Sequence, residues 1–345
     1  MGPWMIGVAA LALAQNPAPP APQGWKNVTA GVGGETWGYA GVTLLSAVPD
    51  RDEILAGVSE SGLWSSTDGG TTWKKLGAAD KEPIKNRPHQ IVYDPKNPRL
   101  FWVSGNYGAG IFRTDDAGAG FRRLGPLQHV DGIAVDFSDP ARRTLLAGLH
   151  EQTRSLHISR DGGMKWEKIG DKFPEDSNFT TDPLILDSKT FLINTAGWAK
   201  GKTSGIYRST DSGATWAKVF EGGPGGRPLA ASGGEVFWQA VWGGGLLKGT
   251  EKGATWAKVG GPVKTNVVEL PGGSLAGLSD QQLFVSSSGG SSWDKLGDAL
   301  PIKAQGVVYS ARRKAFYIWK MSDKKATDSV WRWDLEESPE IKKKP

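Results

Sequence analysis

Short hydrophobic runs alternate along this chain with polar turns that contain glycine. Such runs occur at residues 62–64, 110–112, 156–158 and 205–207, and each is followed by a turn and a second short run. Short runs bounded by turn residues predict β-strands, since an amphipathic helix needs a period of about 3.6 residues over ten residues or more. The pattern therefore predicts a chain of β-hairpins.

One turn pattern, Ser/Thr-x-Asp-x-Gly-x-x-Trp/Phe, recurs along the sequence. It occupies residues 66–73, 114–121, 159–166 and 209–216, with altered copies at 249–256 and 286–293. Its aromatic positions lie 37 to 50 residues apart and are Trp73, Phe121, Trp166, Trp216, Trp256 and Trp293. This spacing matches one four-stranded blade of a β-propeller.

The residues of the repeat indicate a structural role. The carboxylates of the four complete copies can accept backbone N–H groups of a tight turn; they are Asp68, Asp116, Asp161 and Asp211. Glycine supplies the positive φ that such a turn requires, and the aromatic ring buries a large area against the neighbouring sheet.

Counting the strands before each turn predicts an all-β fold, a single seven-bladed β-propeller of four-stranded blades over residues 24–340. The seventh blade would use residues 314–319 and 330–333, which no repeat turn follows. Residues 24–30 resemble the strand after the first repeat, so we expect them to complete that blade and close the ring, which removes an exposed sheet edge. The alternative is six blades with irregular ends.

Composition narrows the classes of function. Glycine accounts for 48 of 345 residues, about twice its usual share, which argues against a mainly helical fold. The absence of cysteine excludes disulfides, thiolate metal sites and a cysteine nucleophile. The net charge of +5 gives no indication of nucleic-acid binding, and the sequence indicates no cofactor and no metal site.

The ends of the chain are predicted to lie outside the propeller. Residues 1–14 resemble a signal peptide that ends in Ala-Leu-Ala, residues 15–23 form a proline-rich spacer, and residues 341–345 are a basic tail. A secreted protein without cysteine fits a bacterial periplasm or exterior. We expect a monomer with no integral membrane segment in the mature chain.

The repeated turn resembles the Asp-box, or BNR, repeat of the sialidase-like propellers. That superfamily includes sialidases, xyloglucan-hydrolysing glycosidases, sortilin-type receptors and photosystem II assembly-factor propellers. The single-domain layout is most similar to the assembly factors, which hold a partner protein and catalyse no reaction. The segment Trp25-Lys26-Asn27-Val28, followed by Gly33-Gly34, resembles the start of the xyloglucan-hydrolysing propellers.

Propeller topology places the repeat turns at one end of the ring and the blade-to-blade crossovers and second-to-third-strand loops at the other, here called the crossover face. Binding residues usually lie on such loops, so we expect a glycan or protein ligand on the crossover face. The candidate ligand-binding residues there are Trp37, Tyr39, Arg87, His89, Tyr107, His129, His150, Trp198, Arg227, Trp242 and Lys320.

The sequence leaves three functions open. The favoured one is a non-catalytic binding propeller, with aromatic and basic side chains as ligand contacts. The alternative is a glycoside hydrolase that uses Asp131, Asp182 and Glu60, since such enzymes need two carboxyl groups with different protonation states. The third is a polysaccharide lyase in which His89, His129 or His150 removes a proton. Capping of loop turns is the alternative role for the two aspartates.

Overall fold

Seven four-stranded antiparallel sheets surround a common axis, so the chain is an all-β, seven-bladed propeller as predicted. The computed structural model describes residues 24–335, except 176, 178, 196–203, 241–243 and 323. The first three blades consist of β2 (Val42–Ala47), β3 (Ile54–Val58), β4 (Gly62–Ser66), β5 (Lys74–Lys75); β6 (Arg87–Asp94), β7 (Asn97–Asn106), β8 (Ile111–Thr114), β9 (Arg122–Arg123); and β10 (Val130–Val135), β11 (Leu145–Leu149), β12 (His157–Ser159), β13 (Glu167–Lys168).

The remaining four blades repeat this order from the axis outward. They consist of β14 (Leu184–Ile185), β15 (Phe191–Thr195), β16 (Gly205–Ser209), β17 (Ala217–Glu221); β18 (Pro224–Ala230), β19 (Val236–Ala240), β20 (Leu246–Thr250), β21 (Thr255–Gly260); β22 (Val268–Glu269), β23 (Leu275–Ser279), β24 (Gln282–Ser286), β25 (Asp294–Leu296); and β26 (Gly306–Ser310), β27 (Ala315–Trp319), β28 (Val330–Asp334) with β1 (Trp25–Asn27). One short 3-10 helix, Gly170–Lys172, precedes the fourth blade.

The N-terminal strand closes the ring. β1 pairs antiparallel with β28, with Trp25 opposite Trp333, and the indole rings of these residues lie 5.7 Å apart. Both tryptophans are buried in the cluster that joins the sixth and seventh blades. The prediction of seven blades closed by residues 24–30 is therefore confirmed, and the six-blade alternative is excluded.

The repeat turns are held by the hydrogen bonds that their residues predict. In the first turn, Asp68 accepts the Thr72 backbone N–H at 2.9 Å and the hydroxyl of Ser66 at 2.8 Å. The Gly70 backbone N–H donates to Ser66 Oγ at 2.7 Å. Hydrogen bonds from Thr72 hold the pKa of Asp68 well below its usual range. Asp116, Asp161 and Asp211 each accept a backbone N–H four residues later in the same way.

The aromatic residue of each repeat turn fixes the turn to its hairpin. In four of the turns the indole N–H donates to the carbonyl of the glycine three residues earlier, at 2.9 to 3.1 Å, in Trp73, Trp166, Trp256 and Trp293. These rings are partly buried against hydrophobic clusters. Each of these indoles therefore has its N–H hydrogen-bonded while its ring packs on the core, as buried tryptophans usually require.

The core lies between neighbouring blades. One cluster contains Val42 and Val58 of the first blade with Tyr317 and Val330 of the seventh, and the other clusters fill similar positions around the ring. In the part of the chain that the structure describes, no helix is long and apolar enough to cross a bilayer. The packing between neighbouring blades fixes the sheets relative to one another, and the loops of the crossover face connect their strands.

We expect Trp25→Ala to lower the free energy of unfolding by about 3–5 kcal/mol, since it removes a buried indole from the strand that closes the ring. Lys26→Ala is the matched control, because Lys26 lies on the same strand, is 45% exposed and contacts Asp334 at 3.5 Å. It should cost at most about 1 kcal/mol. Chemical denaturation measures both, and equal losses would contradict the proposed importance of ring closure.

Candidate functional site

Charged side chains from four blades meet at the crossover end of the central channel. His89 lies on β6, Asp131 on β10 and Arg227 on β18, while Asp182 precedes β14. With His150, which follows β11, they form what is here called the central cluster. Residues that are distant in sequence thus become neighbours, such as His89 and Arg227 at 3.1 Å.

Asp131 is the most strongly hydrogen-bonded member of the central cluster. His150 Nδ1 lies 3.0 and 2.9 Å from the two carboxylate oxygens, and Asn106 Nδ2 donates to Oδ1 at 2.8 Å. His89 Nδ1 is 3.8 Å from Oδ1. Burial opposes ionisation of Asp131, but the hydrogen bond with His150, together with the charges of His89 and His150 at the low pH where these rings are protonated, outweighs it and holds the pKa below its usual value. Asp131 is therefore a carboxylate.

The pKa of Asp182 is raised, in contrast to that of Asp131. It is 8% exposed, and burial raises its pKa to about 6; the positive charge of Arg227 opposes this shift, and the negative charge of Asp131 adds to it. Thr181 donates its hydroxyl to Asp182 Oδ2 at 2.9 Å, and Asn194 Nδ2 lies 3.4 Å from the same oxygen. Two carboxyl groups on adjacent blades thus differ in protonation, a feature typical of paired acid and base groups.

Two glycines allow the segment before β14 to approach Asp131. A Cβ atom on Gly132 or Gly148 would collide with the backbone of Thr181 or Thr180, respectively. Neither clash can be relieved by rotating a side chain, because the blocking atoms belong to the main chain. The absence of side chains at these two positions therefore lets residues 180–182 lie directly on the β10–β11 hairpin, which brings Asp182 toward Asp131.

Arg227 crosses the mouth of the channel. Its guanidinium, from the fifth blade, donates to the backbone carbonyl of His89 on the second blade and lies 3.1 Å from His89 Nδ1. Burial lowers the pKa of His89 to about 4, and the positive charge of Arg227 adds to this effect. His89 is therefore neutral at pH 7, whereas the contact with Asp131 raises the pKa of His150 above its usual value.

A groove of about 610 Å³ lies next to the central cluster, between the first and second blades. Its lining includes Tyr39, Glu60, Lys85, Arg87 and Tyr107. The Tyr107 hydroxyl lies 3.1 Å from His150 Nε2, so the groove is connected to Asp131 through a single histidine.

The other predicted ligand contacts lie in different surroundings. Trp37 is buried in the core and donates its indole N–H to the Val32 carbonyl at 3.2 Å, so its ring does not face a ligand. His129 packs edge-on against Tyr107, at 6.2 Å between ring centroids. Lys320 forms an ion pair with Asp328 at 2.7 Å, away from the central cluster. Trp198 and Trp242 lie outside the described residues.

Glu60, proposed with the two aspartates as a hydrolase residue, lines the groove but not the central cluster. Asn194 was not predicted as a site residue, although it accepts the backbone N–H of Asp182 at 3.1 Å through Oδ1 and donates through Nδ2 to the Asp182 carboxyl at 3.4 Å. The sequence feature that could have indicated Asn194 is a polar residue near the end of the buried strand Phe191–Thr195. Within the described ranges, no group of three or more potential ligand residues could hold a metal ion.

Sequence comparison finds relatives among xyloglucanases, and no family model matches the chain. A Paenibacillus xyloglucanase is 24% identical over 242 residues, which cover 58% of this chain and 23% of the relative. A xyloglucanase of Hypocrea jecorina is 23% identical over 218 residues, which cover 58% of this chain and 23% of the relative. The matched region is thus under a quarter of the length of these curated relatives.

Solved structures with the same fold include GH74 enzymes, YCF48 proteins and extracellular domains of B. thetaiotaomicron proteins. The Niastella koreensis GH74 enzyme superposes with a TM-score of 0.66 at 15% identity, covering 92% of this chain and 55% of the enzyme. YCF48 bound to D1 peptide superposes with a TM-score of 0.57 at 14% identity, covering 93% of this chain and 98% of that protein. At these identities the likeness establishes the propeller fold.

The expectation of a non-catalytic binding propeller is wrong. The curated relatives are named as xyloglucanases, and these names support the alternative of a glycoside hydrolase. The binding hypothesis depended on the similarity of the single-domain layout to the assembly-factor propellers. The protonation states that distinguish an enzyme depend on burial, which the sequence does not show.

Replacement of Asp182 should stabilise the protein at alkaline pH. Because folding raises the pKa of this carboxyl from 3.8 to about 6, the folded state is favoured while the group is protonated and loses that advantage as the pH rises through 6. Asp182→Asn cannot ionise, so we expect it to be more stable than the wild type at pH 8, by up to roughly 3 kcal/mol.

The difference should disappear at pH 4, where the wild-type carboxyl is protonated as well. Asp280→Asn is the matched control, since this exposed aspartate lies on the same face and pairs with Lys264 at 2.9 Å. Denaturation curves at the two pH values measure the effect. A pH-independent difference between Asp182→Asn and wild type would show that Asp182 does not ionise near pH 6.

Proposed function

We propose that this propeller is a glycoside hydrolase that cleaves a polysaccharide of the xyloglucan class at the central cluster. The observation that supports this most directly is the pairing of Asp182, a buried carboxyl with its pKa raised to about 6, with Asp131, a carboxylate with its pKa lowered. Enzymes that cleave glycosidic bonds use one carboxyl as an acid and the other as a base or nucleophile. The names of the curated relatives support the same reaction and substrate class.

Asp182 is assigned the role of general acid. Its proton passes to the glycosidic oxygen as the bond between that oxygen and the anomeric carbon breaks, so the leaving sugar departs as a neutral alcohol. The burial that raises its pKa keeps the group protonated under mildly acidic conditions. Thr181 and Asn194 hold the carboxyl in place, at 2.9 and 3.4 Å from Oδ2.

Asp131 is assigned the role of base or nucleophile, on the face of the sugar ring opposite to Asp182. Its carboxylate either takes a proton from the attacking water or bonds to the anomeric carbon before water releases the product; in both cases the water oxygen ends on the anomeric carbon. His150 and Asn106 fix its orientation, and His150 carries positive charge below its raised pKa. That charge keeps Asp131 ionised while Asp182 is protonated.

The proposed function also bears on the repeat turns, the bounds of the domain and the export of the protein. We infer that the repeat turns are Asp-boxes of the BNR type and that residues 24–340 form one domain. Export through the predicted leader at residues 1–14 would deliver the enzyme to a polymer that cannot enter the cell, and the exposed groove leaves room for such a chain.

Loss of either aspartate should abolish most of the activity. We expect Asp131→Asn and Asp182→Asn each to lower kcat on xyloglucan by about 10²–10⁴-fold, as for other acid–base residues. Asp280→Asn should leave the rate unchanged. Release of reducing ends measures all three, and NMR of the first product anomer distinguishes water activation from nucleophilic attack by Asp131.

An activated aryl glycoside separates the two roles, because its leaving group needs no proton. Asp182→Asn should cleave this substrate far better, relative to wild type, than it cleaves xyloglucan, whereas Asp131→Asn should be inactive on both. Full activity of Asp131→Asn on either substrate would refute the assignment.

The pH profile should show which carboxyl acts as the acid. We expect kcat/KM to fall tenfold for each pH unit above about 6, because the reaction requires protonated Asp182. The fall should be absent in Asp182→Asn measured on the activated aryl glycoside. An unchanged alkaline limb in that variant would assign the titration to another group, such as His150.

A further inference from the structure

Arg87 has an unusual environment in the groove beside the central cluster. Its guanidinium lies 5.8 Å from the ring centroid of Tyr39 and 5.5 Å from that of Tyr107. Both tyrosines are largely exposed, at 67% and 55%, whereas most large apolar side chains of this protein are buried. An arginine between two exposed aromatic rings is held in a fixed orientation at a surface that water and ligands can reach.

The charge of Arg87 is not neutralised. Among the residues that the structure describes, no carboxylate lies within 4.0 Å of its guanidinium, and its Nε atom is buried without a hydrogen-bond partner. Some other arginines form ion pairs, such as Arg142 with Asp94 at 2.7 Å and Arg313 with Asp52 at 2.6 Å, whereas the buried Arg227 donates to the backbone carbonyl of His89. An unpaired, oriented guanidinium is suited to a carboxylate that arrives from outside.

The rest of the groove favours an anion. Lys85 adds a second positive charge to the lining, and Glu60 provides its one described carboxylate, so the lining has a net charge of +1. The Glu60 carboxyl lies over Gly38, which has no side chain to displace it, and not against Arg87. Because Tyr107 contacts His150 at 3.1 Å, an anion bound at Arg87 would be adjacent to the central cluster.

We propose that the groove binds the carboxylate of a uronic acid residue, so that among polysaccharides of the xyloglucan class this protein prefers chains that carry acidic sugars to neutral ones. This inference rests on the proposed hydrolase function and specifies its substrate. The guanidinium of Arg87 donates two parallel hydrogen bonds to the uronate, and the outer faces of Tyr39 and Tyr107 pack against the C–H groups of the neighbouring sugars. Arg87 thus determines specificity and takes no part in bond cleavage.

Binding of two matched oligosaccharides tests the proposal. One carries a single glucuronic acid residue, and the other is its carboxyl-reduced form with glucose in that place. Calorimetry on Asp182→Asn avoids turnover during the measurement. We expect the acidic sugar to bind at least about tenfold more tightly, as for a charge-assisted pair, and the advantage to shrink as salt is raised.

Variants at position 87 make the test specific. Arg87→Met, added to Asp182→Asn, should bind both oligosaccharides equally, and Arg87→Lys should retain part of the preference because it keeps the charge without the paired donors. Lys264→Met is the matched control, since it removes a positive charge from the crossover face that is already paired with Asp280. Thermal denaturation verifies that each variant is folded.

The outcomes separate this inference from the proposed function. Equal binding of the two oligosaccharides, or a preference that survives in Arg87→Met, overturns the uronate site even if the protein hydrolyses neutral xyloglucan. A preference that depends on Arg87 supports the site even if no bond is cleaved, and in that case the hydrolase assignment fails. Faster cleavage of the acidic oligosaccharide by the wild type, lost in Arg87→Met, supports both.

Discussion

Closure of the ring by β1 and β28 is the constraint on which the arrangement of the site depends. The pairing of Trp25 with Trp333 joins the two ends of the chain and leaves seven inner strands around one axis. Because each inner strand begins at the same end of the ring, its first residues are directed to a shared channel mouth. An open ring would let the blades separate, and residues such as His89 and Arg227, 138 positions apart, would no longer meet.

The central cluster brings acidic and basic side chains together in a partly buried space, and this environment sets the pKa values of Asp131 and Asp182. Burial alone would raise the pKa of both aspartates, but only Asp131 receives strong compensating hydrogen bonds, from His150 and Asn106. At Asp182 the charge of Arg227 and the hydrogen bonds at 2.9 and 3.4 Å do not offset burial, so this carboxyl remains protonated to about pH 6. Two residues of the same type therefore differ in pKa because of their neighbours alone.

The same fold serves different activities in the proteins that resemble this chain. Solved structures of a GH74 enzyme and of YCF48 bound to a peptide share the seven-bladed ring at 14–15% identity. A fold of this kind does not specify a function, which depends on the side chains mounted on its loops. In this chain the two aspartates with opposite pKa shifts and the groove that contains Arg87 are the features on which the proposed function and its substrate depend.

The sequence by itself determined the fold, because the repeat turns use short-range hydrogen bonds between residues two to four positions apart, as in Ser66, Asp68 and Thr72. It also placed His89, Asp131 and Asp182 at equivalent strand starts. Only the tertiary structure decided that Trp37 is buried in the core, that Arg227 reaches across the channel to His89, and that Asn194 supports Asp182. These contacts form only when the strands assemble, and burial and charge act through space. The local sequence pattern therefore does not predict the contacts or the pKa shifts that they cause.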